Sequence, residues 1–161
     1  MRFDRWRMGL GQRGGSAVEF ALTASIFMSM MLLTMEVCYD LAVGAALDHG
    51  AWMASRFGTT GSLTASGLNT SDRGSSIAAV VIQNGGSLLS STQLQIGESA
   101  YANFGNAAGK IGGSSGPGTS SQVVTYTLTY SQPYLTPIAA ALAGSANLIH
   151  TSTVVVLNEP F

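Results

Sequence analysis

Proline is absent before Pro117, cysteine occurs once, histidine twice, and charged residues make up only 9% of the 161. Each scarcity excludes something. A single cysteine, Cys38, rules out an internal disulfide and a cysteine-based metal site. Cys38 itself reads as a small buried apolar side chain. His49 and His150 lie far apart with no clustered carboxylates, so they make no zinc site. There is no Gly-x-Ser-x-Gly elbow with acid and histidine partners, and no P-loop glycine motif. No catalytic set is visible, so the chain reads as a non-enzyme without cofactor or metal. The charge content is far below the ~25% of a typical soluble domain. No basic patch exists beyond the first residues, which excludes nucleic acid as a partner. With no proline before position 117, nothing forces an early helix to stop.

The charge that is present is lopsided. Residues 1–14 hold Arg2, Arg5, Arg7 and Arg13 against Asp4, while the remainder holds three bases against seven acids. A basic start stays on the cytoplasmic side of a membrane, so the sequence predicts an N-in orientation. From Phe20 to Met35 there is no charge at all. That stretch, with its apolar flanks, reaches the ~20 residues that cross a bilayer as helix. It exceeds the ~7–15 residue core of a secretory signal. Residues 40–57 stay alanine-rich, and one continuous helix of about 60 Å is expected from Gly15 to Phe57. Its first half would lie in lipid and its second half would project outward.

Ala17, Ala21, Ser25 and Ser29 recur at a spacing of four on the inner half. Small residues in one stripe let another helix approach closely within a membrane. Glu36 and Asp40, one turn apart, are read as the point where the helix meets water. Met28, Met30, Met31 and Met35 are read as flexible apolar filler and not as metal ligands. Trp52 is read as a core anchor between helix and sheet.

Beyond the helix, Gly58–Ser76 and Gly105–Ser121 read as Gly/Ser-rich loops. Arg73–Gln83 reads as a short helix stopped by Asn84-Gly85-Gly86. Thr92–Phe104 alternates like a strand. Gln122–Tyr130 alternates more cleanly, with Val124, Tyr126, Leu128 and Tyr130 on one face. Thr136-Pro137 looks like an N-cap with proline at the first helical position, opening a short helix closed by Gly144. Leu148–Leu157 is a second β-branched strand, placed to pair antiparallel with the preceding one. The expected architecture is α+β: a basic leader over 1–14, a transmembrane helix over 15–57, and over 58–161 a small antiparallel sheet with one or two short helices.

Glu19 is an isolated acid at the mouth of the apolar run, and a carboxylate there is costly unless neutralised. Cleavage between Gly14 and Gly15 would create an α-amine four residues before Glu19, and residues four apart are neighbours on a helix. Gly14, four residues, then Glu19-Phe20 resembles the type IVb prepilin cleavage pattern. The context Arg13-Gly-Gly-Ser-Ala-Val-Glu-Phe-Ala-Leu22 is similar to the start of TadE-like pilus assembly proteins. Tyr101-Ala-Asn-Phe-Gly105, Tyr130-Ser-Gln-Pro-Tyr-Leu-Thr-Pro137 and Val154-Val-Val-Leu-Asn-Glu-Pro-Phe161 also resemble segments of that family. Leu157 departs from it, standing where the family often has arginine.

The resemblance implies a minor pilin or pseudopilin of the Tad (Flp) machinery. Gly14, Gly15, Glu19 and Phe20 would form the cleavage site, and Ala17, Ala21, Ser25 and Ser29 the helix-packing face. The implied partners are a prepilin peptidase, other pilins and pseudopilins, Tad inner-membrane assembly proteins and the lipid bilayer. The implied location is a bacterial inner membrane, with a periplasmic C-terminal domain and entry into the pilus as an option. The rival reading is an uncleaved, membrane-tethered binding or sensory module whose polar loops carry the binding surface.

Overall fold

The computed structural model describes residues 13–60 and 72–160. Most of the leader expected over 1–14, and most of the loop expected over 58–76, lie outside these described residues. The first element is α1, Arg13–Gly58, a single helix of 46 residues and so ~69 Å long. At its far end the hydroxyls of Thr59 and Thr60 donate to the Arg56 and Phe57 carbonyls at 2.9 and 2.8 Å. They satisfy acceptors that a helix terminus leaves open, and Arg56 in the last turn suits the helix dipole.

The remaining elements are α2 (Arg73–Gly85), a 3-10 turn (Gly86–Leu88), β1 (Leu94–Tyr101), α3 (Phe104–Gly109), β2 (Ser114–Ser115), β3 (Val123–Pro133), α4 (Pro137–Ala143) and β4 (Asn147–Leu157). The four strands form one antiparallel sheet in the order β2-β1-β3-β4. A long helix carrying a small antiparallel sheet is the fold class expected from the sequence, with three short helices and a 3-10 turn where one or two short helices are expected. The β3–β4 pairing runs unbroken from Val123 opposite Leu157 to Pro133 opposite Asn147.

Residues 105–121 are more ordered than their composition suggests. Asn103 caps α3 by accepting from the Asn106 amide at 2.8 Å, and Ser114–Ser115 pair with the end of β1. Capping by a local side chain outweighs the glycine content there. The second helix begins with a reciprocal cap as well. Asp72 accepts from the Ser75 amide at 2.8 Å, and the Ser75 hydroxyl lies 3.3 Å from the Asp72 amide.

The core sits between the sheet and the outer half of α1. Glu36, Val43, Leu47, Gly50, Ala51, Ala54 and Gly58 form a buried stripe at helical spacing. Ile77 and Val81 of α2 and Val124, Tyr126, Leu128, Tyr130 and Val156 of the sheet complete it. Each large aliphatic side chain buried here contributes roughly 1.5–3 kcal/mol. Alternation in β3 places its even-numbered residues inward, as read from the sequence. It leaves Thr125, Thr127, Thr129 and Ser131 on the outward face, opposite Val155, Thr153, Thr151 and Ile149 of β4.

Two further expectations are corrected. Trp52 is 61% exposed. It borders an open groove between α1 and the end of β4, beside Arg56 and Val155 and outside the buried stripe, so it is not an anchor in the core. Cys38 is exposed, because the stripe passes through Glu36 and Asp40 and the domain does not reach its face.

Candidate functional site

The inner half of α1 carries the residues singled out from the sequence. Gly15 and Glu19 are exposed, and Phe20 is 74% exposed. Gly14 falls within α1, but its surroundings lie outside what is described. Ala17, Ala21 and Ser25 are exposed and Ser29 partly so. The stripe hydroxyls turn back into their own helix: Ser25 donates to the Ala21 carbonyl at 2.7 Å and Ser29 to the Ser25 carbonyl at 2.9 Å. Thr23 and Thr34 do the same to Glu19 and Met30. The ridge is therefore thin and its hydroxyls are already satisfied, a surface suited to close helix contact.

Around it Val18, Leu22, Ile26, Phe27, Met28, Met30 and Met31 are all more than half exposed. No described part of the chain covers this half. The helix is long and apolar enough to cross a bilayer, and residues 15–35 alone reach ~32 Å, close to a hydrocarbon core of about 30 Å.

The next residue, Glu36, begins a second feature that sequence reading missed. Expected where the helix meets water, it lies buried against the chain's own domain instead of open to solvent. One carboxylate oxygen accepts from the Leu135 amide at 2.9 Å. The other accepts from the Thr136 amide and the Thr136 hydroxyl, each at 3.0 Å. Thr136 is the N-cap of α4, and its hydroxyl oxygen also accepts from the Ala139 amide. Glu36 thus pins the β3–α4 corner to α1. Contacts 99 residues apart in sequence leave no local signal. The only hint was an acid in a helix with no basic partner in sight.

About two turns on, the His150 ring lies against α1 over Gly44, where an added Cβ would sit 3.5 Å from Nδ1. His150 Nε2 lies 2.8 Å from Gln132 Oε1 and 3.0 Å from Asp40 Oδ1. The Gln132 contact has hydrogen-bond geometry, whereas Asp40 Oδ1 has only the close approach and no hydrogen bond. One ring nitrogen cannot aim a single proton at both. His150 is therefore engaged between two strands and a helix, and His49 is exposed elsewhere. Among the described residues no three His, Cys, Asp or Glu side chains gather as a metal site would need.

A third polar cluster lies at the far end of the domain. Arg73 is buried, and its Nη1 donates to the Pro117 carbonyl at 3.0 Å. Asn158 donates to the Pro117 and Thr119 carbonyls. Burial pushes the Glu98 carboxyl above its ordinary range, helped by Asp72 and opposed by Arg73. Burial likewise raises the Tyr126 phenol. The cluster fastens the 116–119 loop to α2 and the sheet.

The structure brings Gly15, Glu19, Phe20 and the small-residue stripe onto one uncovered helical segment, and it keeps both histidines and the buried polar groups away from it. The chain matches no protein-family model, no curated protein and no solved structure.

Proposed function

We propose that this chain is a minor pilin or pseudopilin of the Tad (Flp) type IVb machinery, a building block and peptidase substrate in pilus assembly. The observation that carries the reading is the Gly14…Glu19-Phe20 pattern, placed at the start of a helix whose inner half nothing in the chain covers. The domain at the other end supports it, since the core is complete without residues 15–35. The inner half is left to meet lipid and other helices.

In this reading the basic leader holds the precursor N-in across a bacterial inner membrane, and the domain lies in the periplasm. A prepilin peptidase cuts after Gly14. The freed Gly15 amine and the Glu19 carboxylate, its own or a neighbour's, then balance each other where an uncompensated charge is costly. Ala17, Ala21, Ser25 and Ser29 form the face that packs on other pilin helices.

The test is co-expression with the cognate peptidase followed by intact-mass measurement. Loss of residues 1–14 is expected, and Gly14→Leu is expected to abolish it. Glu19→Ala is expected to be cut normally but to assemble poorly. A native chain that functions with its initiator methionine in place would overturn the proposal and favour an uncleaved membrane tether.

A further inference from the structure

We infer that the β3–α4–β4 corner is a second membrane contact, with Leu135, Ile138 and Leu142 seated in the lipid headgroup and acyl boundary beside the point where α1 leaves the bilayer. This rests on the reading of residues 15–35 as a membrane span. Three observations place the corner at that level.

The first is the Glu36 carboxylate, which holds the Leu135 and Thr136 amides and immediately follows the uncharged run from Phe20 to Met35. The second is the direction of the strands. At the opposite end of β4 the Glu159 amide donates to the Thr59 carbonyl at 2.9 Å. The β3–β4 pair therefore runs alongside α1 from Thr59 down to Glu36, and the β3–β4 connection is the membrane-proximal tip.

The third is the charge distribution. No Asp, Glu, Lys or Arg occurs between Arg73-linked Pro117 and Glu159, so the corner's own segment carries no such charge; the acids beside it are Glu36, whose carboxylate the corner amides hold, and Asp40, which lies against His150. Arg56, Asp72, Arg73, Glu98 and Glu159 cluster towards the far end. Yet the tip exposes large apolar side chains: Leu135 is 49% exposed, Ile138 43% and Leu142 73%. Their spacing of three and four residues puts them on one side of the turn and helix. A short helix with an exposed apolar side and no charge fits the interfacial zone better than bulk water. Because the tip carries no basic residue, its contact depends on apolar burial alone and does not require anionic lipid.

The test uses the full chain in vesicles of phosphatidylethanolamine and phosphatidylglycerol. Exposed Cys38 is removed by Cys38→Ser. An environment-sensitive fluorophore is then attached to single cysteines introduced by Leu142→Cys, Met28→Cys or Thr119→Cys. The Leu142 probe is expected to shift to the blue and to lose fluorescence to nitroxide lipids labelled near the headgroup, reporting a depth of ~5–10 Å. That loss should not change with the phosphatidylglycerol fraction. The Thr119 probe, at the far end, should behave as in water, and the Met28 probe should be quenched by nitroxides deep in the acyl chains.

A water-like Leu142 probe beside a quenched Met28 probe overturns the inference and leaves the span intact. So does a blue-shifted Leu142 probe that no nitroxide lipid quenches, which marks a protein partner at the tip. An unquenched Met28 probe removes the span itself and the inference with it.

Discussion

Glu36 is the residue on which the attachment of domain to helix depends. Its two oxygens take three donors from one corner, and hydrogen bonds to a charged acceptor are the stronger kind. Glu36→Ala leaves the Leu135 and Thr136 amides without their acceptor in a buried place. The expected loss is roughly 2–4 kcal/mol, read as a lowered thermal midpoint in detergent. Hydrogen exchange at those two amides should accelerate more than at amides in the middle of β3. Glu36→Gln keeps one oxygen but turns an amide towards a donor, so it should cost an intermediate amount. If Glu36→Ala unfolds like the unaltered chain, the pin carries no stability. Cys38, two residues away, has no such role, since it faces away from the domain.

At the scale of elements, α1 and α2 approach closely at Gly50. Gly50 is buried, and a Cβ placed there would lie 2.8 Å from the Val81 carbonyl oxygen and 3.0 Å from a Val81 methyl. Backbone is the obstacle, so the helices must separate to admit even one carbon. Gly50→Ala is expected to destabilise by about 1–3 kcal/mol, a typical overpacking cost, offset only slightly by alanine's better helix propensity. Urea unfolding of the detergent-solubilised chain checks this. Gly44 provides an internal comparison, because its Cβ would meet His150 at an ordinary 3.5 Å. Gly44→Ala should therefore be neutral or mildly stabilising. Equal effects at both positions would contradict the packing described here.

For the whole molecule, α1 is shared by two environments. Everything on it that the domain buries lies between Glu36 and Gly58. A chain beginning at Met35 should therefore keep the core, fold cooperatively and remain in solution without detergent. Circular dichroism with a single unfolding transition, together with a monomeric mass by light scattering, is the check. Aggregation or loss of the strand signal would mean that the inner half of α1 contributes to the fold as well as extending from it.

Sequence alone determined what depends on local chemistry: the uninterrupted helix from its lack of proline, β3 from its alternation, and α4 from Thr136-Pro137 and Gly144. The exposed segment with Gly15, Glu19 and Phe20 was equally legible, because a carboxylate next to a long uncharged run is a purely local anomaly. Tertiary structure alone decided which face of α1 the domain covers. That choice buried Glu36, engaged His150 and left Trp52 and Cys38 outside. The reason is physical. A helix with apolar residues on all sides offers several equivalent faces, and the selection is made by partners about a hundred residues away. The partners at Glu36 present backbone amides, and Val81, thirty-one residues beyond Gly50, presents a backbone carbonyl; neither leaves a mark in the residues nearby.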